Sequence, residues 1–268
     1  MGERLKDKVA IVTGGGSGIG KAIAKAFVQE RATVVLAARN VAKMEQTVKE
    51  FEALGAGKAM FVPTDVTVEQ QVKDMVAKVI KTCGKIDILV NNSGIGGPTK
   101  NVVDLDLKEW HEVLDVDLTG SLICAKEVLK HMIPRKSGNI INLGAEGGRS
   151  GEGRSGYPMR APYCCAKMAI IGLTETLAQE VGPYNIRVNC ISAAAVRGDR
   201  FNRVVQGRAD ALGVPFDEVL QKAMANYSLK RPAEEYELAN CAVFLASDES
   251  SAMTGQTLVN HCGLHIAF

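Results

Sequence analysis

Short runs of consecutive apolar residues alternate along this chain with longer stretches in which apolar positions recur at helical spacing and the charges fall on the other side. Val9-Ala-Ile-Val12 is the first run, and Lys21-Ala-Ile-Ala-Lys-Ala-Phe27 opens the first helical stretch. Further runs follow at 33–38, 59–64, 86–91, 138–144, 185–192 and 255–260, with helical patterns at about 69–83, 110–132, 199–226 and 233–247. Runs without polar alternation suit strands buried on both faces, as in a parallel sheet. Strand and helix in steady alternation predict an α/β chain: a doubly wound, Rossmann-type fold with a seven-stranded parallel sheet and helices on both faces.

Nothing in the composition divides this pattern. The 268 residues are 46% hydrophobic, ample for a full core, and no linker interrupts them, so 1–268 reads as a single domain. The 32 basic and 30 acidic residues are dispersed and leave a net charge of +2, which makes no electrostatic case for nucleic acid or an anionic membrane as partner. No apolar run reaches the roughly 18 residues of a membrane span. Met1-Gly-Glu-Arg-Leu-Lys6 lacks a signal-peptide core, so a soluble, cytoplasmic protein is expected. Seven cysteines stand at 83, 124, 164, 165, 190, 241 and 262 without a Cys-x-x-Cys pair, and His111, His131, His261 and His265 form no ligand-spaced pair. Reduced thiols and no metal are expected.

The candidate chemistry begins where the first strand meets the first helix. Thr13-Gly14-Gly-Gly-Ser17-Gly18-Ile19-Gly20 is a turn with few side chains to block its backbone. There, free N–H groups and the positive helix end stabilise a phosphate. This is a dinucleotide site, although its glycine spacing differs from Gly-x-Gly-x-x-Gly. In such a fold the end of the second strand meets the adenosine ribose: an acid binds the 2′-hydroxyl, whereas a neutral residue followed by arginine suits a 2′-phosphate. Ala38-Arg39 therefore favours NADP(H) over NAD(H).

Two later motifs complete the pattern. Asn91-Asn92-Ser93-Gly94 follows the fourth strand, and Tyr163-Cys-Cys-Ala-Lys167 lies on a helix. A tyrosine and a lysine four apart share one helix face, so the ammonium acts on the phenol electrostatically and also reaches ribose hydroxyls. The phenol then serves as general acid in carbonyl reduction or general base in alcohol oxidation. The three motifs, in this order, resemble the short-chain dehydrogenase/reductase family over almost the entire chain. That resemblance implies Asp65 and Val66 beside the adenine, and Asn92 and Gly94 near the ribose. It also implies a backbone contact from Val196 to the nicotinamide amide and a substrate lid at about 197–226. Assembly as a homotetramer or homodimer, through the long helices after Trp110 and Tyr163, follows as well.

Three positions depart from the family. Asp117 stands where an asparagine usually kinks its helix and holds a water of the proton relay. Ala145 follows the fifth strand directly, in the place of the catalytic serine, and Ala193-Ala194 replace a Pro-Gly pair. A short repeat, Gly148-Arg-Ser-Gly151 and Gly153-Arg-Ser-Gly156, comes next. Counting forward from the strand assigns the serine position to Ala145, while counting back from Tyr163 by the family's usual separation lands on Ser150. Strand-end geometry favours Ala145 as the match, leaving Ser150 or Ser155 to fold back as a replacement.

The leading expectation is an NADP(H)-dependent oxidoreductase that interconverts a secondary alcohol and a carbonyl on a small molecule, with Tyr163, Lys167, Asp117 and Ser150 as its catalytic set. Losing the serine removes about a few kcal/mol of transition-state stabilisation, by analogy with an oxyanion donor. An alternative is therefore a cofactor-binding enzyme of divergent chemistry, such as elimination or isomerisation, or a weakly catalytic nucleotide-binding relative. Arg160 precedes Tyr163 by three residues, and Arg197 and Arg200 follow the sixth strand. Their convergence near Ala145 would suit an anionic substrate.

Overall fold

The computed structural model describes residues 2–145 and 156–264. Strands β1 (Val9–Thr13), β2 (Thr33–Ala38), β3 (Lys58–Pro63), β4 (Ile88–Asn91), β5 (Gly138–Ala145), β6 (Ile186–Ala193) and β7 (Thr257–Asn260) form one sheet in the order β3-β2-β1-β4-β5-β6-β7. Every neighbouring pair is parallel. The helices are α1 (Gly18–Gln29), α2 (Val41–Glu52), α3 (Glu69–Cys83), α4 (Leu107–Leu114), α5 (Gly120–Arg135), α6 (Ala161–Val181), α7 (Asp199–Leu212), α8 (Phe216–Ala225) and α9 (Glu235–Ala246).

Because successive side chains of a strand point to opposite faces, each apolar run feeds two cores at once. Ala10, Val12, Val34 and Leu36 pack with Phe27 of α1, Met44 of α2 and Leu238 of α9. Ile11, Val35 and Leu89 join Met75 of α3, Val128 of α5 and Leu177 of α6 on the other face. Fully buried side chains of this kind, Phe27 and Leu36 among them, contribute about 1.5–3 kcal/mol each through removal from water.

The chain runs outward from β1 through β2 to β3 and then returns to β4 on the other side of β1. That reversal opens a crevice at the carboxyl ends of β1 and β4, where ligands bind in such sheets. Two expected helices are broken. The stretch 110–132 is interrupted by a π-helical turn at Asp115–Thr119, and 199–226 is divided into α7 and α8. Gly213 ends α7 with φ +65, and Pro215 begins α8 as its N-cap.

Candidate active site

Gly14 leaves β1 with φ +65, and its N–H donates to Ala37 O at 2.7 Å. Gly18 also takes a positive φ, +57, at the start of α1. Ser17 caps that helix in an extended conformation without a side-chain bond, and the first turn holds no acidic residue, so its amides line the crevice. A Cβ on Gly14 would stand 2.8 Å from Asn92 Nδ2, and one on Gly20 would meet the same amide and Gly14 O. Only glycine permits this approach.

Asn92 Nδ2 donates to Thr13 O at 2.9 Å. Thr13 Oγ1 accepts the N–H groups of Asn92 and Ser93, at 2.9 and 3.0 Å, and donates to Val90 O. The first two motifs are thus one hydrogen-bonded unit. This narrow cradle of backbone amides fits a dinucleotide's diphosphate. Among the described residues Glu235 reaches it: its Oε1 lies 3.6 Å from the Cβ position of Gly18, and burial, then Asp199 and Glu234, push its carboxyl up.

A cleft of about 580 Å³ continues from the glycine turn past Tyr163 and Lys167 to α7. Lys167 is buried; its Nζ donates to Leu143 O at 2.9 Å and lies 5.8 Å from the centroid of the Tyr163 ring. Behind it sits Asp117, wholly out of solvent in the π turn, with Oδ2 3.3 Å from that Nζ and Oδ1 accepting Ile95 N–H at 2.7 Å. Oδ2 has ion-pair distance but no aligned hydrogen bond. Asp117 therefore holds Lys167 and the Gly94–Ile95 backbone without lining the cleft. Deeper still, Asn91 Nδ2 donates to Ser121 O and Asn142 Oδ1, and Asn142 Nδ2 to Thr174 Oγ1, tying α5 and α6 to the sheet. The Cys190 thiol below Gly144 is pushed up to about 11 by burial, which leaves it inert.

Ala145 is the last residue of β5, opposite Ala193 in register, and lines the cleft with a methyl group that offers a substrate oxygen no hydrogen bond. Ser150 and Ser155 lie outside the described residues. Val196 lines the cleft, and the neighbouring Ala195 N–H donates to Tyr227 Oη. Arg160 precedes α6, buried, with its guanidinium carbon 5.0 Å from the centroid of the Tyr163 ring. Arg200 donates to Gly94 O at 2.5 Å. Arg197 also lines the cleft, and its Nε lies 2.8 Å from Glu234 Oε1, so its charge is matched at the start of α9.

Arg39, Asp65 and Val66 stand outside the cleft wall. Arg39 is largely exposed and 3.8 Å from Asp65 Oδ2. Burial alone would raise the Asp65 carboxyl, but the hydroxyl and N–H of Thr67, with Arg39, hold it below its ordinary value. Lys43 of α2 lines the cleft near Gly16. Sequence reasoning missed it, as it missed Arg208 of α7; the only signal was a basic residue one turn beyond Arg39 and another two turns beyond Arg200. Among the described residues no group of three or more His, Cys, Asp or Glu is placed to hold a metal.

A family model described as enoyl-(acyl carrier protein) reductase matches residues 14–265. The chain is 35% identical to secoisolariciresinol dehydrogenase of Forsythia intermedia over 266 residues, covering 96% of this chain and 89% of that one. It is 34% identical to 3-oxoacyl-[acyl-carrier-protein] reductase of Thermotoga maritima, covering 98% and 100%. A crystal structure of NAD+-bound xylitol dehydrogenase superposes with a TM-score of 0.90 at 32% identity, covering 96% and 98%.

Proposed function

The chain belongs to the short-chain dehydrogenase/reductase family, whose members act as oxidoreductases on alcohol and carbonyl groups, and we propose that it interconverts a secondary alcohol and a carbonyl on a small, anionic substrate with NADP(H). The observation that carries this reading is the single cleft wall formed by the glycine turn, Asn92, Tyr163 and Lys167. A nicotinamide dinucleotide, when bound, supplies or accepts the hydride. The amides of Ser17 to Gly20 would hold its diphosphate, Asn92 and Lys167 its ribose, and Val196 its amide. Arg39 and Lys43, on either side of the start of α2, support a 2′-phosphate; Arg39 is tied only loosely to Asp65.

Tyr163 gives a proton to the carbonyl oxygen in reduction and takes one from the hydroxyl in oxidation. Lys167 keeps its place because its Nζ donates to Leu143 O and lies at ion-pair distance from Asp117. Its remaining N–H groups are left for the ribose side. With no hydroxyl at Ala145, less of the developing charge on the substrate oxygen is stabilised, and that observation favours a second reading, a cofactor-dependent reaction other than net redox. Assembly as a homotetramer or homodimer is supported by exposed apolar side chains on the long helices, Leu122 of α5 and Met168 of α6. We place the protein in the cytoplasm, where its seven free thiols stay reduced.

Turnover of a carbonyl panel, followed by the absorbance of the reduced cofactor, tests the reading. NADPH consumption that disappears in Tyr163→Phe supports it. Conversion without net change in the cofactor favours the second reading.

A further inference from the structure

Arginines crowd one end of the cleft. Arg160 is only 8% exposed, yet among the described residues no carboxylate pairs with it and its guanidinium makes no hydrogen bond. One side of that group meets the Tyr163 ring, and the other lies 3.3 Å from the position of a Cβ on Gly96. Burial pushes the guanidinium down from its ordinary value; Tyr163 and Cys164 on α6 oppose that, while Arg200 and Arg208 on α7 add like charge. A guanidinium stays cationic through shifts of this kind.

A buried cation without a counter-ion is costly, and water alone compensates it poorly. The carboxylates that line the cleft, Asp199 and Glu235, do not supply the counter-ion: they act on each other, and neither pairs with Arg160. Of the neighbouring cations, Arg197 is matched by Glu234, and Arg200 is committed to Gly94 O. Arg208 is half-buried, lines the same cleft and has no ion pair among the described residues.

We propose that Arg160 and Arg208 form a carboxylate subsite beside Tyr163, so that the substrate is a small oxo or hydroxy acid whose own carboxylate completes the charge balance of this wall. The oxo or hydroxy part rests on the oxidoreductase reading; the carboxylate part rests on the arginines. Two guanidinium forks present paired N–H donors to a planar anion, and such charge-assisted bonds are strongest where water is excluded. Arg160 also abuts the ring of the proton-transferring tyrosine, so the anion it holds fixes the reacting carbon relative to that phenol.

The test uses the full chain loaded with NADP+, which cannot reduce a ketone, and isothermal titration with pyruvate, acetoacetate and levulinate, each against its uncharged methyl ester. At least one acid is expected to bind about tenfold or more tighter than its ester, the gain of a charge-assisted contact. In Arg160→Gln and in Arg208→Gln that acid-to-ester ratio falls toward one. Arg208 lies half-exposed on its helix, so its variant reports even where the buried one fails to fold. Equal affinities of acid and ester in the parent, binding of none of the acids, or an acid preference that survives both substitutions overturns the proposal. Failure of the oxidoreductase reading looks different: the acid binds tightly and in an arginine-dependent way, but NADPH is never consumed.

Discussion

Replacing Asp117 with leucine strands the Lys167 ammonium in the interior with Leu143 O as its partner. The two side chains are 5% and 0% exposed and stand 3.3 Å apart. At that separation their attraction is on the order of 5 kcal/mol for an effective dielectric of about 20, and breaking a buried pair by removing one member costs about 3–5 kcal/mol. Asp117→Leu also removes the acceptor of Ile95 N–H, worth about 1 kcal/mol at this half-buried amide. We expect Asp117→Leu to destabilise the fold by about 4–5 kcal/mol and Lys167→Met by about 3–4. The double variant, which leaves no unpaired charge, should fall short of the sum by about 2–4 kcal/mol. Asp117→Asn keeps the size and the Ile95 acceptor but still leaves the ammonium without its counter-charge, and should cost about 3–4 kcal/mol. Urea unfolding of all four variants without cofactor, at one fixed protomer concentration, gives these values from the midpoints, provided the slopes agree. A coupling energy below about 0.5 kcal/mol would refute the reasoning, because the two groups would then not be sharing a buried charge.

The other expectations are shorter to state. The parent should bind NADPH more tightly than NADH, and Arg39→Ala and Lys43→Ala should each reduce that preference several-fold, as read by fluorescence titration; equal affinities in the parent refute the assignment. Tyr163→Phe should lose nearly all turnover while nucleotide affinity stays close to the parent's, since only the proton-transferring hydroxyl is removed. Glu237 is held at about 2, first by the hydrogen bond from Arg231 and then by the N–H of Glu234. A carboxyl lowered in the fold stabilises it above the unfolded value of 4.5 and loses that contribution as pH falls toward about 2. Over that acid window Glu237→Gln should lose stability less steeply than the parent, and parallel curves would show the pair to be inconsequential. Light scattering at micromolar concentration should report a tetramer or dimer, and Met168→Asp on the exposed face of α6 should shift the mass downward.

Much of the site is legible in the residues because its chemistry is local. Thr13 to Gly20, Asn91 to Gly94 and Tyr163 to Lys167 each carry their meaning within one turn or one helix face, and the apolar runs mark strands buried on both sides because each feeds two cores. Even the division of α7 from α8 was written in Gly213-Val-Pro215, whose backbone preferences outweigh a continuous helical pattern.

Charge pairing is another matter. Asp117 reads in the sequence as a departure from the family, and the fold alone places it 3.3 Å behind Lys167, outside the cleft wall. Arg197 and Arg208 look alike in sequence, both basic residues of the lid stretch, and both line the cleft. Only tertiary structure sets Glu234 against Arg197 and leaves Arg208 to act on Arg160. Local preference decides where a strand ends or a helix begins, since those depend on neighbouring dihedrals and one face of packing. Which charge meets which depends on distances of a few ångström between residues far apart in the chain, and these exist only once the sheet has brought its carboxyl ends together.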